Sequence, residues 1–265
     1  MKSKSSLNTY SKKENFNKYL DANLVSTSKD PNFNVTENNQ VPFSPDLEDL
    51  VRLHKLVRKR KVTTVLEFGV GHSTLIIADA LLKNKKQYSK KVKDLGLRRN
   101  NCFEIHCVDS SKKWIKEIKK RIPKELKDII HLHFSEVLIS SFQDRICTFY
   151  KKLPNITPDF VYIDAPSNYD VQGEVSGISF HHEDRTILTG DMLRLEPLLL
   201  PGTLILLDGR TNNARFLKNN FQRPFEYIEN IKQDVNTLEL KENPLGELNK
   251  TQIEFCLGKE WLKSI

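Results

Sequence analysis

Apolar positions follow two spacings along most of this 265-residue chain. Short runs of consecutive apolar residues predict buried strands, which lie at 63–68, 103–108, 129–134, 160–163 and 203–207. Apolar residues at helical spacing predict helices between them, over 73–82, 112–121, 136–150 and 188–199. Strands that alternate with helices are typical of a parallel sheet with helices on both faces.

Both ends of the chain depart from this alternation. Residues 1–42 lack sustained periodicity, and we expect a flexible N-terminal arm or lid there. Ser44-Pro45-Asp46 is a helix-start signal, and residues 43–265 are predicted to form one domain. Near the other end, strands are predicted at 225–231, 237–241 and 252–257, with a turn at 243–246 between the last two, so the sheet is expected to finish antiparallel.

The first predicted strand runs into an unusual turn. A carboxylate, Glu67, is followed by Gly69 and Gly71 and then by an apolar helix. Glycine allows the backbone to turn sharply and approach a ligand, and the helix that follows directs free N–H groups at the same place. A dinucleotide loop would have a third glycine where Thr74 stands, and it calls for no carboxylate before the first glycine.

Glu67-x-Gly69-x-Gly71 resembles motif I of the class I S-adenosyl-L-methionine (SAM) dependent methyltransferases. Ser73-Thr74, in place of a third glycine, is similar to the small-molecule O-methyltransferase branch of that group. Over about 65–257, the resemblance implies a Rossmann-like, seven-stranded, mostly parallel sheet with an antiparallel C-terminal strand and helices on both faces. It also implies a transferase that uses SAM as its cofactor.

The resemblance implies the following cofactor-binding residues, taken along the chain: Glu67, Gly69, Gly71, Ser73, Asp109, Ser110, Ser135 and Glu136. Glu67 is expected near the methionine amino group, Asp109 at the ribose hydroxyls, and Ser135 with Glu136 at the adenine. Asp109 is equally suited to cap the helix predicted at 112, and both roles stay open. A basic insertion at 83–101 explains why Asp109 lies farther from the turn than the roughly 20 residues of a dinucleotide fingerprint.

Acceptor chemistry is expected at Asp164, Asp208 and Arg210, which follow the fourth and fifth predicted strands. In catechol-type O-methyltransferases, which these strand ends resemble, an equivalent aspartate binds a divalent metal with an Asp-Asn pair. Here Asp208 is followed by Gly209, although Asn212 or Asn213 offers a further oxygen. A metal held by Asp164 and Asp208 therefore competes with a second arrangement, in which Asp164 is a general base and Arg210 binds an anion.

The net charge of +8 raises a question about partners. Eight Lys and Arg residues against one acid lie within 83–101, which we predict to be a solvated loop. The same residues would suit backbone contacts in an RNA methyltransferase, so nucleic acid remains an alternative to a small-molecule acceptor. An NAD-dependent oxidoreductase is a third possibility, which the lack of a Tyr-x-x-x-Lys pair disfavours.

The cysteines and the N-terminal residues indicate the cellular compartment of the protein. The four cysteines show no C-x-x-C pair and no metal-ligand spacing, which favours free thiols in a reducing compartment. Residues 1–39 contain no apolar segment of signal-peptide length, and no segment is long and apolar enough for a membrane span. We therefore expect a cytoplasmic protein, and nothing in the sequence indicates its oligomeric state.

Overall fold

The computed structural model describes residues 4–20 and 45–265. Its helices are α1 (Lys4–Lys13), α2 (Leu47–Lys59), α3 (His72–Asp94), α4 (Lys112–Arg121), α5 (Asp191–Leu195), α6 (Thr211–Asn220), α7 (Glu247–Cys256) and α8 (Lys259–Leu262). Its strands are β1 (Thr64–Phe68), β2 (Glu104–Asp109), β3 (Ile130–Phe134), β4 (Val137–Phe142), β5 (Arg145–Tyr150), β6 (Phe160–Ile163), β7 (Val171–Gln172), β8 (Leu204–Asp208), β9 (Phe225–Asn230) and β10 (Val235–Leu240).

Seven strands form one sheet in the order β3-β2-β1-β6-β8-β10-β9. Neighbours from β3 to β8 pair in parallel, and β10 runs antiparallel between β8 and β9. A dinucleotide-binding sheet has the order 3-2-1-4-5-6 without such an inserted strand. The predicted Rossmann-like, mostly parallel sheet with an antiparallel C-terminal strand is therefore confirmed.

Helices cover both faces of this sheet, as predicted. Val65 packs with Leu53 of α2 and Leu75 of α3 in one core. The next residue, Leu66, packs with Met192 of α5 and with α6 in a second core. Successive side chains of a strand point to opposite faces, so a strand buried on both sides is apolar at almost every position.

The connection from β3 to β6 is not the helix predicted for 136–150. It is the hairpin β4–β5, which joins β7 in a second, three-stranded sheet. Gln143 and Asp144 have φ of 47° and 61°, which gives the two-residue turn that suits a hairpin. Val137 and Ile139 are buried while Leu138 and Ser140 are partly exposed, so the period is two. The prediction was wrong because apolar residues on both strands also fit a helical spacing.

The strand predicted for 252–257 is also wrong, because those residues belong to α7 and to the residue after it. Gly246 precedes this helix with φ of 109°. Phe255 and Cys256 bury their side chains against Val92 of α3 and Phe103. A short apolar run does not by itself distinguish a buried strand from one buried side of a helix.

The basic stretch 83–101 is largely helical rather than a loop, since α3 continues for 23 residues to Asp94. The side-chain amide of Asn84 explains part of this extension, because it donates to the carbonyls of Val57 at 3.1 Å and Val62 at 2.9 Å. Lys83 pairs with Asp79 one turn earlier, at 2.6 Å. Neither this helix nor any other within residues 4–20 and 45–265 has the length and apolar content needed to cross a membrane.

Residues 4–20 lie inside the predicted N-terminal arm and form α1 and a 3-10 turn. Phe16 is buried, and the hydroxyl of Tyr19 donates to Asp79 at 2.9 Å. Tyr10 contacts His54 of α2 at 2.8 Å. This part of the arm is attached to α2 and α3. Residues 21–42 lie outside the described residues, and a lid remains a prediction.

Candidate cofactor and acceptor site

The carboxyl ends of the parallel strands lie along one edge of the sheet, where open α/β sheets bind ligands. Gly69 follows β1, Asp109 ends β2, Ser135 follows β3, Asp164 follows β6 and Asp208 ends β8. The fold therefore brings the residues predicted from separate parts of the sequence to one edge.

The turn after β1 requires glycine at position 69. Gly69 has φ of +113°, and a Cβ atom there would lie 3.2 Å from the Cβ of Ala165 in the loop after β6. Its N–H donates to the carbonyl of Val108 in β2 at 2.8 Å. The turn is thus held against both neighbouring strands, in a conformation that other residues rarely adopt.

Gly71 is different, because the protein itself does not need glycine there. Its φ of −177° is extended backbone that any residue adopts, and a Cβ atom at this position would enter open space, with no other side chain or distant backbone atom within 4 Å. Gly71 also immediately precedes α3, whose first N–H groups have no partner within the helix. Open space in front of a helix N-terminus suits a ligand that the backbone approaches closely.

Glu67 organises this turn from inside the protein. It is 1% exposed, and its carboxylate accepts hydrogen bonds from Ser73 and Thr74, both at 2.6 Å, and from the thiol of Cys107 at 3.1 Å. Burial raises the pKa of Glu67 to about 7, and the charge of Asp164 adds to the rise. Both carboxylate oxygens are bonded to protein hydroxyls, so Glu67 and Ser73 shape the loop. A contact with the methionine amino group remains a prediction.

Asp109 is buried at the end of β2 and faces the same turn. One carboxylate oxygen accepts the N–H of Ser111 at 2.6 Å. Ser111, rather than Asp109, is the N-cap of α4, since its hydroxyl accepts the N–H of Trp114 at 3.3 Å. Burial raises the pKa of Asp109 to about 7, with the charges of Asp170 and Asp164 adding to it.

Asp170 also lies near this edge, although the sequence did not lead us to expect it there. It lies in the 3-10 turn after β6, and its carboxylate accepts the hydroxyl of Ser110 at 3.2 Å. Burial raises its pKa too. The available signal was a polar segment a few residues after Asp164, which itself follows β6. Asp170, Glu67 and Asp109 together give this edge a negative electrostatic potential, which favours a cationic ligand.

The two residues predicted at the adenine have other partners. Ser135 is buried, and its hydroxyl accepts the N–H of Lys152 at 2.8 Å, which joins the end of β3 to the hairpin. Glu136 pairs with Lys151 at 2.5 Å at a part-exposed position. Ser135 also donates its N–H to the carbonyl of Asp109 at 3.0 Å, so it lies beside the predicted ribose-binding residue. Contact with adenine remains a prediction for both.

On the acceptor side, Asp164 is exposed at the end of β6. Arg210 donates to two main-chain carbonyls of the same loop, those of Asp164 at 2.6 Å and Pro166 at 3.2 Å. The guanidinium group of Arg210 therefore positions the loop that carries Asp164. Asp208 lies 3.9 Å from the guanidinium of Arg52.

The acceptor side does not fit a divalent metal ion. Such ions take about six oxygen ligands, and the aspartates offer two carboxylates with Arg52 beside one of them. Asn213 is buried, with its amide bonded to Thr189 through both its oxygen and its nitrogen. Asn212 donates to the hydroxyl of Thr186 at 2.8 Å. The oxygen of Asn213, the atom that would bind a metal, is therefore occupied by Thr189.

The basic stretch 83–101 leads away from this edge. Helix α3 begins at the carboxyl edge and runs back along the sheet, so its last turn is roughly 35 Å from Gly71. Exposed cations cluster there, and Lys85, Lys93 and Arg99 line a cleft next to Phe103. The stretch that would suit RNA contacts in the alternative hypothesis thus leads away from the predicted chemistry.

No protein-family model and no curated protein matches the chain. The solved structures that are similar to it at low identity include the following three. TomG, an O-methyltransferase from Streptomyces achromogenes in complex with SAM, is 15% identical over 74% of this chain and 80% of its own, with a TM-score of 0.42. The SAH-bound methyltransferase PaMTH1 of Podospora anserina is 14% identical over 77% and 83%, with a TM-score of 0.45.

The third is an O-methyltransferase from Bacillus cereus in complex with SAH, 14% identical over 90% of this chain and 92% of its own, with a TM-score of 0.40. The chemistry of this chain rests on the geometry of its own carboxyl edge.

Proposed function

We propose that this protein is a SAM-dependent methyltransferase that transfers the methyl group to a hydroxyl of a small molecule. The observation that carries this proposal is the acidic carboxyl edge of a sheet with an inserted antiparallel strand. Glu67, Asp109 and Asp170 all lie there with raised pKa values. An edge of this kind binds a cation more readily than it binds a phosphate.

The cofactor must be one that tolerates these carboxylates. SAM carries a positively charged sulfonium and no phosphate, so it relieves the repulsion between the acids. The pyrophosphate of NAD would instead add two negative charges beside Asp109 and Glu67. The same reasoning disfavours an RNA backbone at this edge.

Different residues at the carboxyl edge bind different parts of the cofactor. Gly69 keeps the turn tight, and the open space at Gly71 admits the methionine part of SAM in front of the N-terminus of α3. Asp109, whose carboxylate is held by the backbone N–H of Ser111, accepts the ribose hydroxyls. Ser135 and Glu136, which follow β3, border the adenine.

Methyl transfer needs an acceptor oxygen aligned with the methyl group and a group that takes its proton. Asp164 is the exposed carboxylate at the end of β6 and serves as that general base. Arg210 holds the loop of Asp164 through two carbonyls, and Asp208 borders the acceptor from β8. No step passes through a metal ion, since the residues present do not fit one.

We place this activity in the cytoplasm. All four cysteines are free, and Cys107, Cys147 and Cys256 are buried. Disulfides are rare in the cytoplasm, because its thiols are kept reduced, so free cysteines suit this compartment.

A thermal-shift experiment tests the cofactor. SAM and its demethylated product SAH should each raise the melting temperature of the protein, whereas NAD should leave it unchanged. Asp109→Asn should abolish the shift, because the amide lacks the charge and one acceptor site for the ribose diol. The matched control is Asp144→Asn in the exposed turn of the hairpin, which should respond to SAH like the wild type. Stabilisation by NAD alone would overturn the proposal.

Turnover tests the acceptor side. With labelled SAM and a metabolite extract, the wild type should label a small-molecule fraction. Asp164→Asn should lower this labelling by about 10²–10⁴-fold, the contribution usual for a general base, while still binding SAH. Full activity in excess chelator is expected. If the chelator stops the labelling, a metal ion rather than a general base would activate the acceptor hydroxyl.

A further inference from the structure

Three imidazoles and one carboxylate share a face of the sheet at its β2–β3 edge. Glu104 and His106 lie two residues apart in β2, and His131 and His133 lie two residues apart in β3. His106 pairs directly with His131 in the parallel register. Because side chains two residues apart point to the same face, all four lie together.

The distances within this cluster are those of a compact group of ligand atoms. Oε2 of Glu104 is 3.0 Å from Nε2 of His106 and 3.5 Å from Nε2 of His131. The rings of His106 and His131 are stacked, with centroids 4.6 Å apart and planes 17° apart. The ligand atoms of the three residues all lie within 4.8 Å of one another. A tetrahedral ion with bonds of 2.0–2.1 Å places its ligands about 3.3 Å apart, so modest rotation of the rings closes the set.

One buried nitrogen of the cluster lacks a hydrogen bond. The Nε2 atom of His131 is buried and has no hydrogen-bond partner. Its distance of 3.5 Å to Glu104 is too long for a good hydrogen bond. Buried polar atoms in folded proteins nearly always have a partner, and an ion between these side chains would supply it.

Neighbouring residues orient the potential ligands. Nδ1 of His106 lies 3.1 Å from Nε2 of His133, which leaves Nε2 of His106 directed at Glu104. The amide of Asn101 donates to Oε2 of Glu104 at 2.9 Å. Metal-binding histidines and carboxylates are typically held in this way by a second hydrogen bond.

We propose that Glu104, His106 and His131 bind a transition-metal ion of the Zn²⁺ type. Two imidazoles and a carboxylate are a donor set that suits Zn²⁺, whereas Mg²⁺ and Ca²⁺ require oxygen ligands. Three protein ligands leave a fourth position for water. The ion would join the edge strand β3 to β2, on the sheet face rather than at the carboxyl edge, so this proposal is independent of methyl transfer.

Zinc titration of the full-length, tag-free protein after chelator treatment tests this site. Calorimetry should show one Zn²⁺ per chain, and Zn²⁺ should raise the melting temperature by several degrees. Co²⁺ should give the visible absorption of a four-coordinate site. His131→Gln and Glu104→Gln should each weaken Zn²⁺ binding by at least tenfold, while keeping the metal-free melting temperature and the response to SAH.

The control is His182→Gln, which removes an exposed imidazole outside the cluster and should bind Zn²⁺ like the wild type. Zinc binding that is unchanged in both His131→Gln and Glu104→Gln would overturn the site. So would the absence of stoichiometric binding, which would mean that the cluster is held by hydrogen bonds alone. A protein that binds Zn²⁺ here but ignores SAH would leave this inference standing and remove the proposed function.

Discussion

The carboxyl edge of the sheet and the far end of α3 carry opposite charges in opposite settings. At the carboxyl edge, Glu67 and Asp109 are buried, and their pKa values are raised to about 7. At the far end of α3, Lys90 and Lys93 are exposed to solvent. Repulsion between buried acids destabilises the folded protein, and a cationic ligand relieves that repulsion. Solvated lysines destabilise it little, because water screens their charges. The net charge of +8 therefore describes the second region and says little about the site.

The largest expected effects come from replacing the two glycines of the turn, which should change stability and SAH binding differently. Gly69→Ala should lower the free energy of unfolding by about 1–3 kcal/mol, because alanine is strained at φ of +113° and meets Ala165. Gly71→Ala should leave stability unchanged, since its methyl group enters open space. It should still weaken SAH binding by tenfold or more, because that space belongs to the cofactor. Urea unfolding and SAH titration measure the two effects.

This pair separates folding from binding. An alanine at position 71 that binds SAH like the wild type would show that the cofactor lies elsewhere. Equal loss of stability in both variants would show that the turn is sensitive to any side chain.

The pH dependence of stability gives a smaller effect. In the unfolded chain, aspartate and glutamate titrate near pH 4, whereas Asp109 and Glu67 titrate at about 7 in the folded protein. Between these values the folded state binds more protons, so each group makes stability fall as pH rises, by up to about 1.4 kcal/mol per pH unit. Asp109→Asn should therefore flatten the fall between about pH 5 and pH 7.

Urea unfolding of the wild type and of Asp109→Asn at several pH values measures this slope, with Asp144→Asn as the control. Saturating SAM should also flatten the slope of the wild type, because its sulfonium favours the charged carboxylates. A slope that is identical in the wild type and Asp109→Asn would contradict the buried, protonated state of Asp109 at low pH.

The smallest effect is expected at the far end of α3. Replacing Lys85, Lys86 and Lys90 together by Gln should change neither stability nor the SAH-induced shift, because these side chains are exposed and distant from Gly71. Binding of tRNA fragments at low salt should weaken in this variant if the wild type binds them at all. A lost SAH response would show that the two ends of α3 are coupled, against the separation described above.

Much of the fold was predictable because its signals are local. Buried strands reveal themselves as apolar runs, and the strand-to-helix turn at Gly69 is encoded within a few residues. Asp109 and Asp164 followed from their positions at strand ends. Asp170 and the histidines were missed, although His131-x-His133 and Glu104-x-His106 have the spacing of side chains on one face of a strand.

The sequence by itself determined the buried strands, the sharp turn after β1 and the carboxylates at the strand ends, because each depends on neighbouring residues. Only the tertiary structure decided that 136–150 is a hairpin and that the apolar run after Gln252 is helical, since both depend on which surface covers the segment. The structure also decided that Glu67 faces Thr74 and Cys107 and that His106 meets His131. Contacts between strands far apart in sequence follow from register, and register is set by the packing of the whole sheet.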